Sequence, residues 1–195
     1  GERNEALVAA REAVELYRGL AEASTQTYTP DLAMSLTNLA NILSEVGERN
    51  EALVAAREAV RLRRALAEAS PQAYAPDLAM SLSILANRLS EVGERNEALG
   101  AARVAVELYR GLAEVSPAAY TPNLAASLNN LAAFLSEVGE RNEALEAARE
   151  AVRLRRALAE ASPAAYTPDL AASLNNLAAF LSAVGERNEA LEAAR

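Results

Sequence analysis

The heptapeptide Gly-Glu-Arg-Asn-Glu-Ala-Leu begins at Gly1, Gly47, Gly93, Gly139 and Gly185, always 46 residues apart. A chain that copies itself at a fixed period in the range of about 20–50 residues is a stack of one supersecondary unit. Each unit buries its apolar face only against its neighbours. The later copies are almost identical: Ala118–Arg149 and Ala164–Arg195 differ only at Asn123/Asp169 and Glu137/Ala183. That is the mark of recent duplication.

Each period reads as two helices. In the third, Thr121-Pro122 is the expected start of the first helix, with Thr as N-cap and Pro at the first helical position. Leu124, Leu128, Leu131, Leu135 and Val138 then recur at three- and four-residue steps, which makes one apolar helical stripe. Gly139 follows as a left-handed stop. The second helix is predicted from about Glu140 to about Ala161, with Ala144, Leu145, Ala148, Ala151, Val152 and Leu158 on its buried side. Its small alanines let two helices approach closely. Ser162–Pro168, with two prolines, is the expected loop to the next unit. Tyr28, Tyr74, Tyr120 and Tyr166 recur just before each predicted first helix and read as packing plugs, akin to a hydrophobic staple.

Composition agrees and excludes much. Half the residues are apolar and only 4% aromatic, so Leu, Ala and Val must make the core, and an all-α class follows. Neither Cys nor His occurs, which removes disulfides, thiolate chemistry and His-based metal sites. A net charge of −8 argues against nucleic-acid binding. The uncharged run from 115 to 136 is broken by Pro117, Pro122 and three Asn residues, so it reads as loop then helix, and nothing is expected to span a membrane. Every basic residue is Arg, which suggests a GC-rich genome.

Leu128, Leu131, Ala132 and Leu135, then Gly139, then Ala144, Ala148 and Ala151 resemble the tetratricopeptide repeat in their spacing. The Leu-Asn-Asn-Leu-Ala runs at 128–132 and 174–178, with Asn-Glu-Ala-Leu in the second helix, are similar to the kinesin-light-chain subtype, as found in large bacterial regulatory proteins. The resemblance covers essentially the whole chain and implies an α-solenoid, a superhelix of antiparallel helical hairpins. The departures are the long period, Arg141 where an aromatic is common, and Ala148 where a large aromatic is common. On this reading 1–195 is one array fragment. Residues 1–28 hold a truncated repeat's second helix and a loop, 29–74, 75–120 and 121–166 are full repeats, and 167–195 is a last repeat with a truncated second helix.

No enzyme chemistry is legible. Asp31, Asp77 and Asp169 fall in the first turn of the predicted first helices, where the helix dipole accounts for them. No phosphate loop, dinucleotide fingerprint or metal motif occurs, so neither catalysis nor a cofactor is expected. The resemblance implies that first helices line a concave groove, with the positions between the core leucines pointing into it. These are Met34, Thr37, Asn38, Asn41 and Ser44, then Met80, Ser83, Asn87 and Ser90. Ala126, Asn129, Asn130, Ala133 and Ser136 follow, then Ala172, Asn175, Asn176, Ala179 and Ser182.

Asn is a poor helix-interior residue, so mid-helix Asn calls for a reason. Its amide both donates and accepts, as an extended peptide backbone requires. The competing reading is a polar surface multiplied by duplication. The expected partner is a protein or peptide in extended form, neutral or weakly polar, because the basic clamp of acidic-tail binders is absent and Arg88 is the one nearby base. The second helices alternate Glu15, Arg61, Glu107, Arg153 and Tyr17, Arg63, Tyr109, Arg155, which predicts in-register Glu–Arg and Tyr–Arg meetings. A cytoplasmic binding scaffold is the leading expectation. A spacer that self-associates head to tail, or the sensor arm of a larger signalling ATPase, are the alternatives.

Overall fold

The computed structural model describes residues 1–185, which form eight helices and no strand. They are α1 (Glu2–Ala23), α2 (Thr25–Glu45), α3 (Arg49–Ala69), α4 (Pro71–Glu91), α5 (Arg95–Val115), α6 (Pro117–Glu137), α7 (Arg141–Ala161) and α8 (Pro163–Val184). The expected truncated second helix of the last repeat, beyond Gly185, lies outside the described residues. The chain falls into two compact units, Gly1–Ala101 and Ala102–Arg195. In the first, α1 packs on α2, α2 on α3, and α3 on α4; in the second, α6 packs on α7 and α7 on α8. The first helices of the repeat are α2, α4, α6 and α8.

The turn inside each hairpin is set by glycine. Gly139 has φ +88°, a backbone region that side-chain-bearing residues rarely enter. Its N–H donates to the Ser136 carbonyl at 3.1 Å, and the Glu140 N–H donates to the Leu135 carbonyl at 2.9 Å. This pair of bonds caps the last carbonyls of α6. Gly47 and Gly93 repeat the arrangement. The glycine stop expected at each period is therefore present, and α7 begins within a residue of its expected start.

The other end of each hairpin differs from expectation. The first helices begin five residues earlier than the Thr-Pro motif suggested, at Pro71, Pro117 and Pro163. Pro122 lies inside α6, and one residue, Ser116, replaces the expected loop. In α4, α6 and α8 the earlier proline contributes to this start, whereas α2 begins at Thr25 without one. Pro117 disfavours helical backbone at Ser116, which sits at φ −139° and ψ 79°; Ser24 takes nearly the same conformation before Thr25, so the break itself does not need the proline. Pro117 also occupies the first helical position, where no N–H is needed. The second proline forfeits one bond near the helix start, which the surrounding packing tolerates. Tyr28, Tyr74, Tyr120 and Tyr166 consequently lie in the first turn of these helices, half-buried, and Tyr28 packs against the core.

The expected stripes make the core. Leu124, Leu128, Leu131 and Leu135 are buried, as are Leu32, Leu36, Leu39 and Leu43. Opposite them Ala144, Ala148 and Ala151 have no exposed surface. Each buried Leu contributes roughly 1.5–3 kcal/mol.

Neighbouring second helices do not meet in register. Their ion pairs join an Arg to the Glu 40 residues on: Arg11–Glu51, Arg18–Glu58, Arg57–Glu97, Arg103–Glu143 and Arg110–Glu150. The stack is therefore shifted by six residues from the period, about 9 Å along a helix. That shift bears on the expected Glu–Arg meetings. Glu107 pairs with Arg110 on its own helix rather than with Arg153. Arg18 forks onto Glu58 at 2.7 and 3.0 Å. The hydrogen bond from Arg18 holds the Glu58 carboxyl below its ordinary value; partial burial opposes it, and the charges of Arg18 and Arg61 reinforce it.

Two outcomes are expected. Gly139→Ala places a methyl in open space but at φ +88°, so urea denaturation should show a loss of about 1 kcal/mol. Gly100→Ala, on the exposed helical surface of α5, should instead add about 0.5–1 kcal/mol. Equal signs for the two would remove the left-handed turn as the cause. For Glu58, a lowered folded-state pKa means its stabilisation is whole above the ordinary carboxylate value and lost as pH falls through the lowered one. Wild type should exceed Glu58→Gln by at most about 1 kcal/mol at pH ~7, the scale of an exposed pair. The gap should close in acid. A gap that persists unchanged at pH ~2 would contradict this origin.

Candidate functional site

Along each first helix the residues not used by the core form a stripe with three- and four-residue steps. On α2 it reads Asp31, Met34, Asn38, Asn41, Glu45, and on α4 Asp77, Met80, Ile84, Asn87, Glu91. On α6 it reads Asn123, Ala126, Asn130, Ala133, Glu137, and on α8 Asp169, Ala172, Asn176, Ala179, Ala183. Met34 and Met80 are 47% and 41% exposed, high for large apolar side chains. Asn38, Glu45 and Asn176 are exposed, and Asn41, Ile84, Asn87 and Asn130 are half-buried.

Asn129, Thr37, Ser44 and Ser83, also expected in the groove, turn toward neighbouring helices or their own backbone. Adjacent residues on a helix point about 100° apart, so the Asn doublet divides. Asn130 belongs to the open stripe, whereas Asn129 donates from Nδ2 to the Ser173 hydroxyl of α8 at 2.7 Å. Ser173 has no exposed surface. Asn175, the matching residue on α8, is exposed. Thr37 is buried and donates to its own helix at the Ala33 carbonyl. The Ser44 hydroxyl donates to Glu91 at 2.9 Å and ties α2 to α4. Ser90 and Ser136 are half-buried and Ser182 is exposed.

Two arginines that the sequence reading set against tyrosines are buried, with a main-chain partner it did not foresee. Arg63 is 3% exposed; its Nη1 donates to the Asp77 carbonyl at 2.8 Å and lies 3.8 Å from Asp77 Oδ1. Arg155 repeats this with Asp169, at 2.6 and 3.8 Å. A buried guanidinium needs such partners to offset lost hydration. Asp77 and Asp169 thus lie in the second helical turn and serve as arginine partners, rather than complementing the dipole from the first turn. The available signal was Arg at 63 and 155 in positions held by Tyr at 17 and 109.

Electrostatically the open stripe of the first unit is acidic. Arg88 is engaged by Glu91 at 2.8 Å. Asp31 and Glu45 form no ion pair among the described residues. Among the described residues no carboxylate cluster is arranged to hold a metal ion, and no helix is long and apolar enough to cross a membrane. A depression of about 620 Å³ beside α5 and α7 is walled by Arg103 and Arg110. Both are already paired with glutamates, so it offers an anion no unengaged arginine.

The junction bond can be tested apart from any ligand. Asn129→Ala should cost about 1 kcal/mol in chemical denaturation, because it strips Ser173 of a partner. Asn130→Ala should be neutral or slightly stabilising through helix propensity. In the first unit Ser81, which matches Ser173, is buried without a partner. Thr37→Asn should supply one and add about 0.5–1 kcal/mol. Equal effects at 129 and 130 would refute the assignment of Asn129 to the junction.

The sequence profile of the Tetratricopeptide repeat family matches residues 32–71, 78–114, 124–163 and 170–195. No curated protein matches the chain by sequence. Among solved structures, a putative kinesin light chain with nearly identical TPR-like repeats from Podosopora anserina is 23% identical, with TM-score 0.67 over 98% of this chain and 87% of that one. The apo form of RapI is 17% identical, with TM-score 0.73 over 98% of this chain and 62% of that one. MamA is 17% identical, with TM-score 0.58 over 93% and 82%. Helical hairpins stacked in this way are the α-solenoid class that the repeat implied. With the profile matching more than half of its residues, the chain belongs to the tetratricopeptide repeat family.

Proposed function

We propose that this chain is a non-catalytic scaffold that binds an extended protein segment on the open face of its first helices. The tetratricopeptide repeat fold commonly mediates protein–protein interaction. The observation that carries the reading is the row of exposed Met34 and Asn38 and half-buried Asn41 beside exposed Met80 and half-buried Ile84 and Asn87. Amides in mid-helix cost helix stability and satisfy no neighbour there, yet they suit the donor and acceptor of a peptide backbone. Methionines beside them give adaptable apolar contact. Asn130 and Asn176 extend the same chemistry to the second unit.

Panning the full chain against random displayed 12-residue peptides should yield binders. Their affinity should fall at least about tenfold, or about 1.4 kcal/mol, in a protein carrying Asn38→Ala, Asn41→Ala and Asn87→Ala. Helicity by circular dichroism should be unchanged. Binding that survives the triple substitution rejects this face. A panel with no binder, from a chain whose light scattering grows with concentration, would favour self-association instead.

A further inference from the structure

The two units differ on this face in a way that specifies a ligand. In the first, both stripes follow one order: acid, Met, Asn or Ile, Asn, acid. In the second, Ala126, Ala133, Ala172 and Ala179 stand where the first has Met or Asn, and α8 ends its stripe at Ala183. Only the first unit therefore offers large apolar contacts bounded by carboxylates at both ends of both stripes. We infer that the first-helix face of Gly1–Ala101 takes an extended protein segment in which apolar side chains alternate with Lys or Arg. This rests on the first-helix face being the binding face.

Geometry supplies the alternation. α2 and α4 lie side by side. A segment crossing both at the level of Asn38, Asn41 and Asn87 would be held by those amides. Its successive side chains point to opposite sides, as in any strand. One set falls toward Met34, Met80 and Ile84. The other falls toward Glu45 and Glu91, one helical turn beyond Asn41 and Asn87, about 5.4 Å. A Lys or Arg side chain spans that distance.

The charge there favours a cation. Glu91 has Arg88 and Ser44 as partners, but Glu45 is exposed and forms no ion pair, and no second basic residue stands on either stripe. Asp31 adds a carboxylate beyond Met34, also without an ion pair among the described residues. An acidic segment would face carboxylates with no arginine left to meet it. Exposed charges of this kind act chiefly on partner choice and association rate, and salt weakens them.

The test uses three fluorescein-labelled peptides of sequence Gly-Ser-Leu-X-Leu-X-Ser-Gly, with X as Lys, Gln or Glu. Fluorescence polarisation on the full chain should show the Lys peptide at least about tenfold tighter than the Gln peptide, and the Glu peptide weakest. The Lys advantage should shrink with added salt and in Glu45→Gln. It should survive Glu146→Gln with Glu160→Gln, which removes two exposed carboxylates from α7. Met34→Ser with Met80→Ser should weaken the Lys and Gln peptides alike. If the Gln or Glu peptide binds as well as the Lys peptide while still depending on the methionines, the charge inference is overturned and the scaffold reading stands. If the Lys advantage falls equally in the α7 control, the attraction is only to net charge, and the inference is again overturned. If no peptide responds to the methionine substitutions, both readings lose this face.

Discussion

Close contact between a leucine stripe and an alanine face is the constraint on which everything else in these units depends. Ala144, Ala148 and Ala151 expose no surface, and their small side chains let α6 and α7 pack closely. A larger side chain at any of the three would push the helices apart and leave the leucines underpacked. The same contact fixes which residues stay free. Once Leu124, Leu128, Leu131 and Leu135 face inward, the opposite side of α6 is determined by the 3.6-residue period. The candidate face is thus a by-product of core geometry, and its chemistry lies in the few residues that the core does not use.

That dependence explains what could be read in advance. The glycine stops, the leucine stripes and the alanine faces are local or strictly periodic features, and they appear in the structure where their spacing put them. Helix starts were less legible because two prolines stand five residues apart and each can occupy a first helical position. The choice between Pro117 and Pro122 depends on whether the packed helix can tolerate a missing N–H in its second turn. Sequence pattern does not carry that information.

The division between Asn129 and Asn130 was illegible for a different reason. Both are mid-helix amides, and both lie between core leucines. Only the presence of Ser173 on the adjoining first helix, 2.7 Å from Asn129, sends one inward to the junction and leaves the other toward solvent. The six-residue shift between second helices is likewise a property of packing rather than of period. It turns an apparent Glu15–Arg61 match into the observed Arg11–Glu51 and Arg18–Glu58 pairs. Buried Arg63 and Arg155 show the opposite case. A charged residue in an apolar-stripe position was visible, but its partner was a main-chain carbonyl, which no side-chain pattern announces.

Duplication bears directly on function. Copies that arise together share their surface chemistry whether or not that surface binds anything, so repeated Asn alone is weak support for a groove. Differences among copies carry more weight. The leucine and alanine core positions are shared between the units, although Ile42 and Arg88 give way to buried Phe134 and Thr37 to Asn129, and the open stripe changes from Met, Ile and Asn in the first to mostly Ala between its ends in the second. Divergence on a face that packing does not constrain is what a ligand contact would produce. Loss of contact in one unit would produce it equally. The retained carboxylates separate these cases physically. Asp77 is held by Arg63 and Glu91 by Arg88 and Ser44, so their presence has a structural account. Asp31 and Glu45 have no ion pair within the unit, and Glu45 stands exposed beside Asn41. A carboxylate without an internal partner, next to apolar surface that the core leaves uncovered, acts on what approaches from outside.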